Sequence, residues 1–199
     1  MYYCLSFYPQ LSAALADAID AIRTRYDPTS PFYKPHIAVI FPTHDRVGIQ
    51  PLTTHIQYTL SDWKPFEIQL GGIEKKPNHW LLLGLQKGEA EFRKLYRELH
   101  TGILDDGRDL DKYKPLMSLG LFIREGVAHD WFDPRESDFD QKLYQEALPT
   151  VNSLPLSENI LVDKFVLGAL KDTVIEWVRG KRTSIPDDAH ETIMHEFYL

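Results

Sequence analysis

Cysteine is almost absent from this sequence: Cys4 is the only one in 199 residues. A single cysteine excludes an intrachain disulfide and a multi-cysteine zinc site, and it fits a reducing compartment. Cys4 lies in an apolar, strand-like run and reads as core. Positive charge is also scarce. Lys and Arg number 22 against 29 Asp and Glu, a net charge of −7. That balance disfavours wrapping of a long duplex, though a local basic site for one phosphate is still compatible with it. No apolar run approaches the roughly 20 residues of a membrane span. The N-terminus lacks a basic region followed by a long apolar one, so no signal peptide is expected. These absences predict a soluble, cytoplasmic protein with no membrane partner. There is no Gly-rich phosphate loop, no Gly-x-Ser-x-Gly elbow and no His/Asp/Glu spacing typical of a metal box. Neither a metal nor a cofactor is expected. Asp105-Asp106-Gly107-Arg108-Asp109 has a calcium-loop flavour, but its ligand spacing is wrong.

What is present is enough apolar material for a core. Hydrophobic residues make up 43 %, which argues against disorder. The length suits one large domain or two tightly joined lobes. Tyr2 to Tyr8 reads as a strand closed by Pro9. Leu11, Ala14, Leu15, Ala18, Ile19 and Ile22 form a helix stripe that runs to Tyr26 and ends at Asp27-Pro28. His36 to Phe41 is a strand stopped by Pro42. Ile49, Leu52, Ile56 and Leu60 mark a helix. Phe66 to Ile73 and Trp80 to Leu85 form a hairpin turned at Lys75-Lys76-Pro77-Asn78. The clearest helix, Glu89 to Leu104, has Phe92, Leu95, Tyr96, Leu99 and Ile103 on one face.

After a polar loop, Met117 to Ile123 reads as a strand, residues 125–138 as irregular, and Phe139 to Leu148 as a helix. Asn159 to Ala169 and Thr173 to Arg179 suggest a second hairpin, turned at Lys171-Asp172. From Gly180 the tail is polar until Ile193, Met194, Phe197 and Tyr198, which either dock on the body or form an oligomer contact. Oligomeric state is open.

The order helix, strand, helix, hairpin thus occurs twice. Tyr33-Lys34-Pro35-His36-Ile37-Ala38-Val39 returns 80 residues later as Tyr113-Lys114-Pro115-Leu116-Met117-Ser118-Leu119. Leu70-Gly71-Gly72 likewise corresponds to Leu167-Gly168-Ala169. We expect an α+β, bilobal, pseudo-twofold fold: antiparallel-rich sheets line a central cleft and helices lie outside. Residues 1–179 would form one bilobal domain, with repeats of about 11–85 and 89–179, and residues 180–199 a tail. Alternate strand residues share a face, so Lys34, His36 and Ala38 point one way, as do Lys114, Leu116 and Ser118.

These strands resemble those of the two-histidine (2H) phosphoesterase superfamily, which includes 2′-5′ RNA ligase-like proteins and 2′,3′-cyclic nucleotide phosphodiesterases. Its mark is a His-x-Thr/Ser-x motif on one strand of each lobe. The resemblance covers about residues 1–179. It implies that the histidines act as general base and acid on a phosphodiester while the hydroxyls bind phosphate. Carried over by position, the first motif is His36-Ile37-Ala38-Val39 and the second is Leu116-Met117-Ser118-Leu119. One histidine and one hydroxyl are missing, which implies weak or lost catalysis.

His36 is then the remaining catalytic residue and Ser118 a phosphate donor; the bland alternatives are an interface histidine and a serine bonded to its own backbone. Lys34 and Lys114 read as phosphate contacts or as solvated strand ends. Tyr33 and Tyr113 read as core or rim aromatics, or as platforms for a base. His79 and His129 are the candidates to replace the lost histidine. His44, His55, His100, His190 and His195 look like surface residues. The implied partner is a small phosphorylated ligand, a nucleotide or an RNA end. The alternative readings are a non-catalytic phosphate binder and a protein-interaction module.

Overall fold

In this computed structural model the described residues are all except 32, 45–46, 77–78, 125–129, 131–134, 157, 181–185 and 188. The strands are β1 (Tyr2–Phe7), β2 (Ile37–His44), β3 (Phe66–Lys75), β4 (Trp80–Lys87), β5 (Met117–Leu121), β6 (Asn159–Val162), β7 (Lys164–Leu170) and β8 (Thr192–Tyr198). The helices are α1 (Ala13–Tyr26), α2 (Ile49–Leu60), α3 (Glu89–Leu99), α4 (Gln141–Asn152) and α5 (Asp172–Val178).

One antiparallel sheet runs through the molecule in the order β6-β3-β4-β5-β2-β1-β7-β8. The fold is α+β, as the element pattern leads one to expect. The two motif strands, β2 and β5, are neighbours at its centre. Each half of the sheet draws on both sequence repeats, because β3 pairs with β4 and β6, while β1 pairs with β2 and β7.

Helices α1 and α2 form where the periodicity places them. On α1, Leu15, Ile19, Ile22 and Tyr26 are buried, a stripe at helical spacing. The Ser12 hydroxyl caps its first turn by accepting from the Leu15 N–H. Asp27 leaves the helix in an extended conformation, as the residue before a proline must. A central aromatic cluster of Phe7, Phe92 and Phe165 joins α3 to β1 and β7.

Four local expectations are corrected. Strand β2 does not stop at Pro42 but runs to His44. Its register on β1 slips between Tyr3↔Thr43 and Leu5↔Ile40, and the irregularity holds the proline, which has no N–H for a regular ladder. Helix α3 ends at Leu99, and a separate 3-10 turn carries Gly102–Leu104. Residues 159–170 split into β6 and β7, which pair with different strands, and residues 172–178 are helical, so the expected second hairpin does not form; Val174, Ile175 and Val178 bury one side of α5. The C-terminal tail contributes the edge strand β8, with Phe197 in the core while Ile193, Met194 and Tyr198 stay exposed.

Candidate functional site

A row of paired residues crosses the sheet centre. Phe7 pairs with Ile37, Ile37 with Met117, and Met117 with Leu83. All four are buried in the main core. Strand neighbours point to opposite faces, so the residues on either side of this row share the other face. Continuing the antiparallel register by one residue gives two flanking rows. One is Tyr8, His36, Ser118 and Leu82; the other is Ser6, Ala38, Leu116 and Gly84. Two contacts agree with this register. The Tyr8 and His36 rings lie 5.5 Å apart, and Leu116 Cδ2 lies 3.6 Å from where a Cβ on Gly84 would stand.

The surviving motif residues therefore fall in one row and the substituted ones in the other. His36 is next to the hydroxyl of the second motif strand, not that of its own. Ala38 is next to Leu116. One row keeps an imidazole and a hydroxyl, and in its neighbour both motif positions are apolar.

His36 is half-buried between the Tyr8 and Tyr33 rings, the latter 5.9 Å away. Its Nδ1 lies 2.9 Å from the Lys34 carbonyl oxygen. A carbonyl only accepts, so Nδ1 carries the proton and Nε2 is the ring's remaining acceptor. Burial lowers the pKa of His36. The Lys34 hydrogen bond and the charges of Glu191 and Asp27 oppose that shift, and Arg23 adds to it. A neutral imidazole with Nε2 available is arranged to take a proton.

Ser118 is tied to a buried network at the end of α1. Its hydroxyl donates to Asp27 Oδ2 at 2.8 Å. The same oxygen accepts from Arg23 Nε at 3.0 Å. Asp27 Oδ1 accepts from the Thr29 N–H at 2.8 Å and the Thr29 hydroxyl at 2.6 Å. Arg23 and Asp27 are 2 % and 3 % exposed, so this ion pair is out of water. Four donors on two oxygens meet the condition under which a buried carboxylate is tolerated.

The lysines differ. Lys114 Nζ meets both oxygens of Glu74, at 3.1 and 3.2 Å, and Lys76 shares that carboxylate. Lys34 is exposed and makes no ion pair among the described residues. Tyr113 is a core residue. Its ring stacks on Tyr96 at 3.9 Å with 2° between planes, Phe41 meets it edge-on, and its hydroxyl donates to the Ala38 carbonyl. It offers no face to a base. Tyr33 is half-buried against His36.

His79 does not replace the lost histidine. It is 1 % exposed, its Nε2 contacts the Arg135 carbonyl at 2.9 Å, and its ring stacks on Phe139. It also lies five residues along the chain from Gly84, about 16 Å at strand rise. His129 lies outside the described residues. His100 is not a surface residue: it is buried, its ring tilted against that of Tyr96 and bonded through Nδ1 to the Tyr96 carbonyl at 2.8 Å. No group of three or more metal-ligating side chains occurs among the described residues. No helix among them is long and apolar enough to cross a membrane.

Three contributors escaped the sequence reading. Asp27 looked like a helix stop, Tyr8 like a strand end, and Glu191 like part of a polar tail. Glu191 accepts from the Tyr8 hydroxyl beside His36. The Tyr-Pro after a strand and the Asp-Pro after a helix were visible as punctuation. No local pattern marks Glu191.

A curled antiparallel sheet with two related motif strands at its centre is the architecture of the phosphoesterase-like class. The chain belongs to the 2′-5′ RNA ligase superfamily, whose family model matches residues 9–158. Solved structures similar to the whole chain support the fold. TT0787 of Thermus thermophilus has a TM-score of 0.60 at 17 % identity, covering 100 % of this chain and 98 % of that one. Escherichia coli LigT complexed with 3′-AMP has a TM-score of 0.58 at 13 % identity, covering 100 % and 99 %. LigT complexed with phosphate has 0.54 at 13 %, covering 100 % and 96 %. The curated proteins gave no significant match.

Proposed function

We propose that this protein binds a small phosphodiester, such as a nucleoside 2′,3′-cyclic phosphate or an RNA end, on the face that carries His36 and Ser118. What supports this reading is the pairing of Ile37 with Met117: continued by one residue each way, it sets His36 beside Ser118 and Ala38 beside Leu116. The LigT complexes with 3′-AMP and phosphate make a phosphorylated ligand the reasonable first probe.

In this reading His36 takes or gives the proton through Nε2. Ser118 contacts the phosphate once its O–H turns from Asp27. Lys34 supplies long-range attraction, and Lys114 joins by releasing Glu74, since an exposed ion pair is worth only about 0–1 kcal/mol. Tyr33 is the one remaining candidate to stack on a base. In this reading one domain holds the whole site, and strands of both repeats, about residues 11–85 and 89–179, contribute to each half of the sheet around it.

Hydrolysis of a cyclic phosphate needs a base for the incoming water and an acid for the departing ribose oxygen. His36 serves one of these at a time. Leu116 moves no proton, so turnover is weak or absent. That residue favours a second reading, a phosphate binder without catalysis.

Calorimetric titration with a nucleoside 2′,3′-cyclic phosphate tests the proposal. Binding to wild type and loss of binding in a His36→Ala, Ser118→Ala double variant is the expected result. Equal affinity in both places the ligand elsewhere.

A further inference from the structure

The Tyr8 end of the polar row meets a carboxylate from near the C-terminus. Glu191 lies one residue before β8 and rests its side chain on Gly168 of β7. A Cβ at position 168 would overlap that carboxylate, so the strand provides a seat that needs glycine. In the seat, Oε1 accepts from Cys4 Sγ at 3.1 Å and Oε2 accepts from the Tyr8 hydroxyl. Burial, reinforced by the charge of Glu191, pushes the Tyr8 and Cys4 pKa values up, so both remain protonated donors. An ionised carboxylate only accepts, and both neighbours only donate to it. The groups around His36 are therefore Glu191 and Asp27 with negative charge, Arg23 with positive charge, the Lys34 carbonyl, and the rings of Tyr8 and Tyr33.

We propose that Glu191 is a specificity-determining residue of the His36–Ser118 site, which admits phosphodiesters and disfavours phosphomonoesters. This rests on the phosphodiester reading above. A diester carries one negative charge. A monoester carries about −1.5 to −2 at neutral pH. A fixed carboxylate in a partly desolvated wall repels the extra charge more strongly than it would in water. The device also suits turnover. When water opens a cyclic diester, one P–O bond forms, one breaks, and the ribose oxygen takes a proton. The product is a monoester that ionises further, and Glu191 favours its release.

The experiment compares the affinities of a nucleoside 2′,3′-cyclic phosphate and the matching nucleoside 2′-monophosphate at one neutral pH, using the full chain. Taking their ratio cancels the protonation of His36 in the free protein, which both titrations share. Wild type should prefer the cyclic diester. E191Q should improve the monoester by roughly tenfold relative to the diester. Glu191→Asp, which keeps the charge, should retain the wild-type ratio. A wild type that prefers the monoester overturns the proposal without need of any variant. Equal weakening of both ligands in E191Q, with binding still dependent on His36, overturns it and leaves the parent reading intact. Binding that ignores the His36→Ala, Ser118→Ala double variant overturns both.

Discussion

Ser118 donates its hydroxyl proton to Asp27 Oδ2 at 2.8 Å, linking the second motif strand to the end of the first helix across 91 residues of chain. The contact makes a phosphate-site candidate part of a buried ion-pair network. Ser118→Ala removes one of four donors to that carboxylate and should cost about 1–3 kcal/mol. Asp27→Asn strips the buried Arg23 of its charge partner and should cost about 3–5 kcal/mol. Urea denaturation of the two variants checks the order. An Asp27→Asn variant as stable as wild type would show that the network is not what holds Arg23.

Acid should destabilise the protein through two histidines. Burial is the first cause lowering the pKa of both His36 and His100. The unfolded chain therefore binds these protons at about pH 6.5, before the folded chain does. Stability is full above that pH and declines as pH falls toward the folded values. Denaturation midpoints at pH 7.5 and 5.5 measure the decline. His36→Asn and His100→Asn should each reduce it, and an unchanged slope in both would assign the pH dependence to other groups.

Ligand binding should respond to pH in the opposite sense. An anion favours protonated His36, so affinity should rise as pH falls through the pKa of His36 in the complex and weaken as pH rises. Added salt should weaken it too, because Lys34 is exposed and screened. Titrations at two pH values and two salt concentrations check this. Affinity that is flat in both would argue that neither His36 nor Lys34 meets the ligand.

Much of the fold was legible in residue spacing. Helix α2 spans Ile49–Leu60, the first and last residues of its apolar stripe. The strand-like reading of residues 173–179 failed because Thr, Val and Ile are β-branched, while Val174, Ile175 and Val178 are also spaced to bury one side of a helix. Strand β8 gave no signal because an edge strand with only Phe197 buried has no alternation to read. The site divides in the same way. His36 and Ser118 were visible through the duplicated motif, which is local. Their row assignment is not, since it depends on the register Ile37↔Met117 between strands 80 residues apart. Asp27 and Glu191 act through side-chain contacts that only the folded chain creates.

That register gives the catalytic prediction its form. Leu116 and Ala38 are cross-strand neighbours, so Leu116→His with Ala38→Thr rebuilds one continuous row beside His36 and Ser118. Leucine and histidine are similar in size. Gly84 lies next to position 116 and brings no side chain of its own. The added imidazole would supply the proton transfer that Leu116 cannot, an effect of about 10²- to 10⁴-fold for one positioned acid or base. The assay is turnover of a 2′,3′-cyclic phosphate by wild type, the double variant, and the double variant that also carries His36→Ala. The expected pattern is weak or no activity, a gain in that range, and loss of the gain. Robust wild-type activity that survives His36→Ala would sink the mechanism. A folded double variant with no gain would mean that the site has diverged beyond its two motif strands, and would leave binding as the function of the His36–Ser118 row.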